Sequence, residues 1–284
     1  MAIFQPHRIS RSAGATAAAC LPGIASADWA LNLTRGVTPY SNTVYDLHML
    51  ILGICTVIGI VVFGVMFYSM LRFRKSKGAV PATWHEDTRA EIAWTLVPLL
   101  ILVGMAFPAT KALIQMEDVA NADMTIKVTG YQWKWHYDYI DDDIQFFSTI
   151  DADSNAARRM DSGIDPASVE HYLLDVDNYV VVPVNKKIRF LTTAADVIHA
   201  WWVPDLGWKR DAIPGFINES WATIQQPGVY RGQCAELCGK DHGFMPVVVR
   251  AVSQEEYEQW VAQMKGDAPA TAAVAGGSAT AGEI

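Results

Sequence analysis

The sequence is short of charge and of cysteine. Only 18% of its 284 residues are charged while 51% are hydrophobic, and 30 acids against 22 bases leave a net charge of -8. A chain this apolar is not a disordered tail, and one this acidic is not a nucleic-acid binder. Four cysteines, Cys20, Cys55, Cys234 and Cys238, are too few for a disulfide scaffold, and only the last two lie close in sequence. There is no internal repeat, no glycine-rich phosphate loop and no C-x-x-C-H for attaching a c-type haem.

The charge is missing in blocks. Residues 47–71 contain no Asp, Glu, Lys or Arg; as an α-helix such a run spans about 37 Å, more than the roughly 30 Å of a hydrocarbon core. A second uncharged run, residues 92–110, contains Pro98 and Pro108, which a membrane helix tolerates better than an isolated soluble one. Two spans, about 47–71 and 92–114, therefore make a hairpin. Between them lie Arg72, Arg74, Lys75, Lys77 and Arg89 against Glu86, Asp87 and Glu91. The positive-inside rule puts this connection in the cytoplasm and both termini outside. Intramembrane His48 and Cys55 match no motif and read as packing and interface residues.

The amino terminus gives the same orientation independently. Arg8 and Arg11 precede a small, mildly apolar run that ends in Ala25-Ser26-Ala27 before Asp28. That order describes a secretory signal peptide over residues 1–27. A lipid anchor on Cys20 fits less well, because Ala17-Ala18-Ala19 lack the branched apolar residue expected before it. Residues 28–115 would then hold the N-terminal segment and the hairpin.

Beyond Met116 the sequence holds 25 acids and 13 bases. An exported domain this acidic either attracts a basic protein partner or simply carries solubility charge. Within 116–265 the pattern becomes short Val-, Ile-, Tyr- and Trp-rich segments broken by Gly, Pro, Asn and Asp, which is strand grammar. Strands are expected from residues 124, 133, 179, 187, 197, 219, 228 and 246, forming an all-β Greek-key sandwich or barrel. One helix follows, opened by a capping box of Ser253 and Glu256. Residues 266–284 are Ala-, Gly-, Ser- and Thr-rich and read as a disordered tail.

The segment GQCAELCGKDHGFM carries Cys234, Cys238, His242 and Met245 within twelve residues, with His199 upstream. Two thiolates, two imidazoles and a thioether form a soft donor set suited to copper or zinc. Three readings remain open on the residues alone. A Cys234–Cys238 disulfide suits an oxidising compartment but leaves His242 and Met245 unused. A structural zinc site needs two Cys and two His and gains little from Met245. A copper electron-transfer centre on a cupredoxin-like barrel uses them all, and its second cysteine permits two sulfurs to bridge two coppers.

The two-span hairpin, C-A-E-L-C-G-x-x-H-x-x-M and G-Y-Q-W-K-W-H-Y-D-Y together resemble subunit II of the haem-copper cytochrome c oxidases over about residues 40–265. The resemblance implies a hairpin of two transmembrane α-helices followed by a cupredoxin-like Greek-key barrel on the periplasmic face of a bacterial inner membrane. It implies a dinuclear copper centre, CuA, held by His199, Cys234, the backbone carbonyl of Glu236, Cys238, His242 and Met245. The Glu236 side chain would reach a magnesium ion shared with subunit I. Trp133 would receive electrons from cytochrome c, which would dock on Asp138 and Asp196, with Asp141, Asp142 and Asp143 adding negative potential. Glu91 would stand at the mouth of a proton path into subunit I. The assembled enzyme, with subunits I and III, reduces oxygen to water and moves protons. Lys134 departs from the family, which often has Tyr there, and bears on donor docking. A quinol-oxidase subunit would lack the copper ligands. A thiol copper chaperone would have one span and a helix after its cysteines, and a nitrous-oxide reductase would lack the spans.

Overall fold

The structure is a computed structural model that describes residues 32–266. The signal-peptide stretch, Cys20 and the tail beyond Gly266 lie outside the described residues.

Both expected spans are helices, and both run past the apolar stretches that announced them. Helix α1 covers Pro39–Arg72, and helix α2 covers Thr88–Glu117. The extra length comes from their caps. Thr38 and Ser41 form a reciprocal capping box with Pro39 at the first helical position, so α1 starts eight residues before the uncharged run. The Asp87 carboxylate accepts from the amides of Arg89 and Ala90 and starts α2. Pro98 and Pro108 lie inside α2, as expected of a membrane helix. Both helices are long and apolar enough to cross a bilayer.

The rest is a β-sandwich. Its first sheet holds β1 (Met124–Tyr131), β2 (Lys134–Tyr139), β3 (Ile144–Ser148), β5 (Ile188–Ala194) and β8 (Asn218–Ala222), in the order β3-β2-β1-β5-β8. A second sheet is ordered β4-β10-β9, from β4 (Val180–Pro183), β9 (Gly228–Gln233) and β10 (Pro246–Val252). The ribbon of β6 (His199–Val203) and β7 (Trp208–Ala212) completes the fold. The pairs β1–β5 and β4–β10 are parallel, because long connections return the chain beside strands laid down earlier. Three elements escaped the sequence pattern: β3, the polar β7, and the short helix α3 (Ala152–Ala157). Helix α4 (Gln254–Met264) begins at the expected Ser253–Glu256 box.

The core is built by alternation. On β2, Trp135, Tyr137 and Tyr139 are buried while His136 and Asp138 face outward. Phe190, Trp201 and Trp208 pack together with centroids 5.0–5.6 Å apart, and the Trp201 indole donates to the Tyr137 hydroxyl at 3.2 Å. The sandwich is tied to the helices by polar contacts. The Trp221 indole donates to the Gln115 carbonyl at 3.2 Å and Arg210 pairs with Glu117 at 3.3 Å, while in the link beyond α2 the Ala120 carbonyl accepts from the Lys187 ammonium at 2.6 Å. Gly207, at φ +86°, lets the chain pass against Ser41, where a β-carbon would lie 2.5 Å from the Ser41 Cα.

Candidate metal centre

Four elements bring the soft donors together. His199 opens β6, Cys234 follows β9, Cys238 lies in the loop beyond, and His242 starts a short turn, His242–Phe244, before β10. The Cys234 amide donates to the Met245 carbonyl at 2.9 Å, closing the loop at its neck, and the Ala235 amide donates to the Ala200 carbonyl at 3.0 Å, stitching it to β6. The ligand atoms of His199, Cys234 and Cys238 all lie within 4.8 Å of one another. The two Sγ atoms are 3.8 Å apart, and both cysteines are free thiols, not the disulfide that an oxidising compartment would favour. Nδ1 of His199 is 3.9 Å from Cys234 Sγ, and Nδ1 of His242 is 3.6 Å from Cys238 Sγ. The Glu236 carbonyl lies 3.4 Å from Cys234 Sγ, while the residue as a whole is exposed. His199 and Met245 are buried, and His242 is half-buried.

The electrostatics fit a cation between the sulfurs. At Cys234, burial opposes ionisation, but hydrogen bonds with His199 and with the backbone at Ala200 and Glu236 outweigh it and bring the thiol down to about 7. At Cys238, burial and the adjacent Cys234 act in the same direction and push the thiol up to about 12. One thiolate forms readily, and the second needs positive charge beside it. Burial opposes the charged form of His199, but hydrogen bonds to Cys234 and Asp196 raise its pKa overall. The donor set fits copper, with the thioether of Met245 as the buried donor that zinc would leave idle.

The surroundings are ordered as closely as the ligands. Asp196 Oδ1 lies 2.9 Å from His199 Nε2, and Asp196 Oδ2 accepts from the Gln132 amide at 2.7 Å. The carboxylate expected to dock the donor is thus also the hydrogen-bond partner of the His199 ring. Trp133 sits in the tight turn before β2, half-buried, not in the strand itself, and its indole donates to the Cys238 carbonyl at 3.2 Å. The Gln132 amide side chain donates to the same carbonyl at 2.9 Å. Gly130 is required by proximity, since a β-carbon there would lie 2.7 Å from Cδ2 of His199. The Trp135 ring meets His199 edge-on at 5.9 Å and walls off the inner side.

Other residues expected to act lie elsewhere. Asp138 is half-buried on β2, flanked in register by Lys127 and Gln145. Asp141 accepts from the Thr125 amide and Asp142 from the Tyr257 hydroxyl at 2.6 Å, so two of the three consecutive aspartates hold the fold. The Lys134 ammonium lies 4.2 Å from the centroid of Phe147, tucked on an aromatic face. Glu91 lies in the first turn of α2 at the opposite end of the helices from the sandwich. Sequence reasoning missed Gln132, Gly130 and the bond between Asp196 and His199. Only the spacing of three residues from Asp196 to His199 hinted at the last.

Comparison with known proteins gives the family of the chain. Residues 26–112 match the family described as cytochrome c oxidase subunit II, transmembrane domain, and residues 124–252 match its periplasmic domain. A probable cytochrome c oxidase subunit 2 of Rickettsia bellii is 42% identical over 235 residues, 82% of this chain and 84% of that protein. Cytochrome c oxidase subunit 2 of Cereibacter sphaeroides is 38% identical over 237 residues, 81% of this chain and 78% of that protein. The crystal structure of the periplasmic domain of a Bradyrhizobium japonicum oxidase subunit II is 46% identical and covers 52% of this chain and 97% of that one, with a TM-score of 0.45. With both of its domains matched and relatives this close along most of its length, the chain belongs to the subunit II family of the cytochrome c oxidases.

Proposed function

We propose that this chain is the electron-receiving subunit of a proton-pumping cytochrome c oxidase. The observation that carries the reading is the convergence of two free thiols 3.8 Å apart with one imidazole nitrogen beside each. His199, Cys234, the Glu236 carbonyl, Cys238, His242 and Met245 would hold a pair of coppers. When bound, such a copper pair would supply one-electron chemistry. The chain's residues supply the rest. Asp196 fixes the ring of His199 and, through the Gln132 amide, the turn that carries Trp133. The buried Trp135 and Met245 exclude water from the inner side. Trp133 offers a half-exposed indole whose ring nitrogen is one hydrogen bond from the Cys238 backbone, a short path for an electron from cytochrome c.

Asp138 and the outer part of Asp196 would attract a basic donor, and the exposed Glu236 carboxylate is free to face a magnesium ion shared with subunit I. Subunits I and III would pack on the hairpin, with Glu91 at the cytoplasmic mouth of a proton path. The basic residues between the helices support a cytoplasmic connection, with the sandwich on the periplasmic side of a bacterial inner membrane.

Stopped-flow reduction of the assembled oxidase by reduced cytochrome c tests this reading. The rate is expected to fall steeply with ionic strength and to collapse in Trp133→Ala while copper content is kept. Salt-independent reduction, or full speed in Trp133→Ala, would refute the assignment of docking and electron reception.

A further inference from the structure

The two imidazoles of the metal centre are held by different means. His199 is buried, rises from a strand and has a carboxylate on its far nitrogen. His242 is half-buried on a single turn, and among the described residues no carboxylate meets its far nitrogen. What fixes His242 must act through its loop.

One side chain from a distant segment grips that loop on both sides of the histidine. Arg158, at the end of α3, places Nη1 3.3 Å from Asp241 Oδ1 and its guanidinium carbon 4.4 Å from the centroid of Phe244. Asp241 precedes His242 by one residue, and Phe244 follows it by two. The Arg158 Nε donates to Asn155 Oδ1 at 2.8 Å, which aims the guanidinium plane. Arg158 and Asp241 side chains are each only 24% exposed, so solvent screens the pair incompletely. The base of the clamp is itself braced. Asp151 caps α3, the buried Ser154 hydroxyl accepts from the Leu173 amide at 3.1 Å, and Asp175 receives Arg231 at 3.4 Å.

We propose that Arg158 is a positioning residue of the metal centre: by clamping Asp241 and Phe244 it holds the His242 turn against Cys238, sets the second imidazole and slows metal loss. The proposal rests on the reading of His242 as a copper ligand. A planar guanidinium can bond an acid and cover a ring at once, which an ammonium cannot do equally well.

The test uses the full-length chain in detergent, as Arg158→Met, Arg158→Lys and, from the loop side, Asp241→Asn. Hydrogen exchange of amides 239–245 is followed in the metal-free protein. The copper hyperfine spectrum and the rate of copper release to a chelator are followed in the loaded protein. Arg158→Met is expected to release copper about tenfold faster, to alter the spectrum, and to speed exchange in 239–245 while leaving the amides of β6 protected. Arg158→Lys should fall between Arg158→Met and the native chain, and Asp241→Asn should reproduce the loop effect. If Arg158→Met does not fold, the other two variants decide. Unchanged release, spectrum and loop exchange in the variants would overturn the clamp, as would faster exchange spread evenly through the strands. If the native chain takes up no copper pair, the copper reading fails, while metal-free exchange still decides whether Arg158 holds the loop.

Discussion

The hairpin and the sandwich use the same apolar residues to opposite ends. On the helices Phe63 and Leu100 are 56% and 66% exposed, while in the sandwich Phe190 and Trp201 are wholly buried. A helix hydrophobic all round needs a bilayer or a partner to cover it, whereas the sandwich carries its own core. The difference shows which half can hold a precise site. The candidate donors stand on a strand and on a loop tied at its neck, and the ring of His199 and the backbones of Cys234, Cys238 and Met245 are each hydrogen-bonded within the sandwich. The hairpin contributes anchorage, joined to the sandwich through Trp221 and Arg210.

The sharpest way to break the contrast is to remove a sulfur. Cys234→Ser should abolish uptake of the copper pair in the full-length chain while leaving the circular dichroism of the sandwich intact, since the site is an addition to a complete core. Metal analysis and the visible spectrum check this; copper retained in pairs would show that the thiols do not bridge.

Next in size is a matched pair of truncations. Phe190→Ala should lower the stability of the sandwich by about 3–5 kcal/mol, because it leaves a cavity among Trp201 and Trp208. Leu100→Ala, on the exposed face of α2, should move the denaturation midpoint of the same domain hardly at all. Equal losses in chemical denaturation would mean that the two regions share one core.

A smaller effect is expected at the approach to His199. Gly130→Ala would push a methyl group into the imidazole, and overpacking of this kind costs about 1–3 kcal/mol. Isothermal copper titration should show weakened binding, and thermal melting of the metal-free chain a lower midpoint. Smallest is Tyr257→Phe, which removes the hydrogen bond from α4 to Asp142 and should take about 0.5–1.5 kcal/mol from the sandwich without altering the copper spectrum.

What could be read from the sequence was whatever is encoded locally. The spans announced themselves by the absence of charge over residues 47–71 and 92–110, and their true ends were set by caps at Thr38 and Asp87 that hydropathy does not register. The donor cluster was legible because four soft side chains fall within twelve residues, and along β2 the buried Trp135, Tyr137 and Tyr139 alternate with outward residues as a half-buried strand does. Trp133 keeps the same spacing but belongs to the turn, not the strand. Strand β7, Trp-Lys-Arg-Asp-Ala, has too little apolar alternation to be seen, and β3 is short and lies at a sheet edge. The contact of Arg158 with Asp241 joins residues 83 apart, and no local pattern signals such a pairing. Asp196 was noticed as a charge, but its partner was fixed only when the fold placed it beside the ring of His199.

The paired thiols and imidazoles are proposed to hold two coppers that share one unpaired electron. The direct measurement is the copper content and electron paramagnetic resonance spectrum of the full-length chain, purified in detergent and loaded with copper. The account predicts two coppers per chain and a hyperfine pattern from one unpaired electron shared equally between two copper nuclei. One copper with the pattern of a single nucleus, or no bound copper, would contradict it.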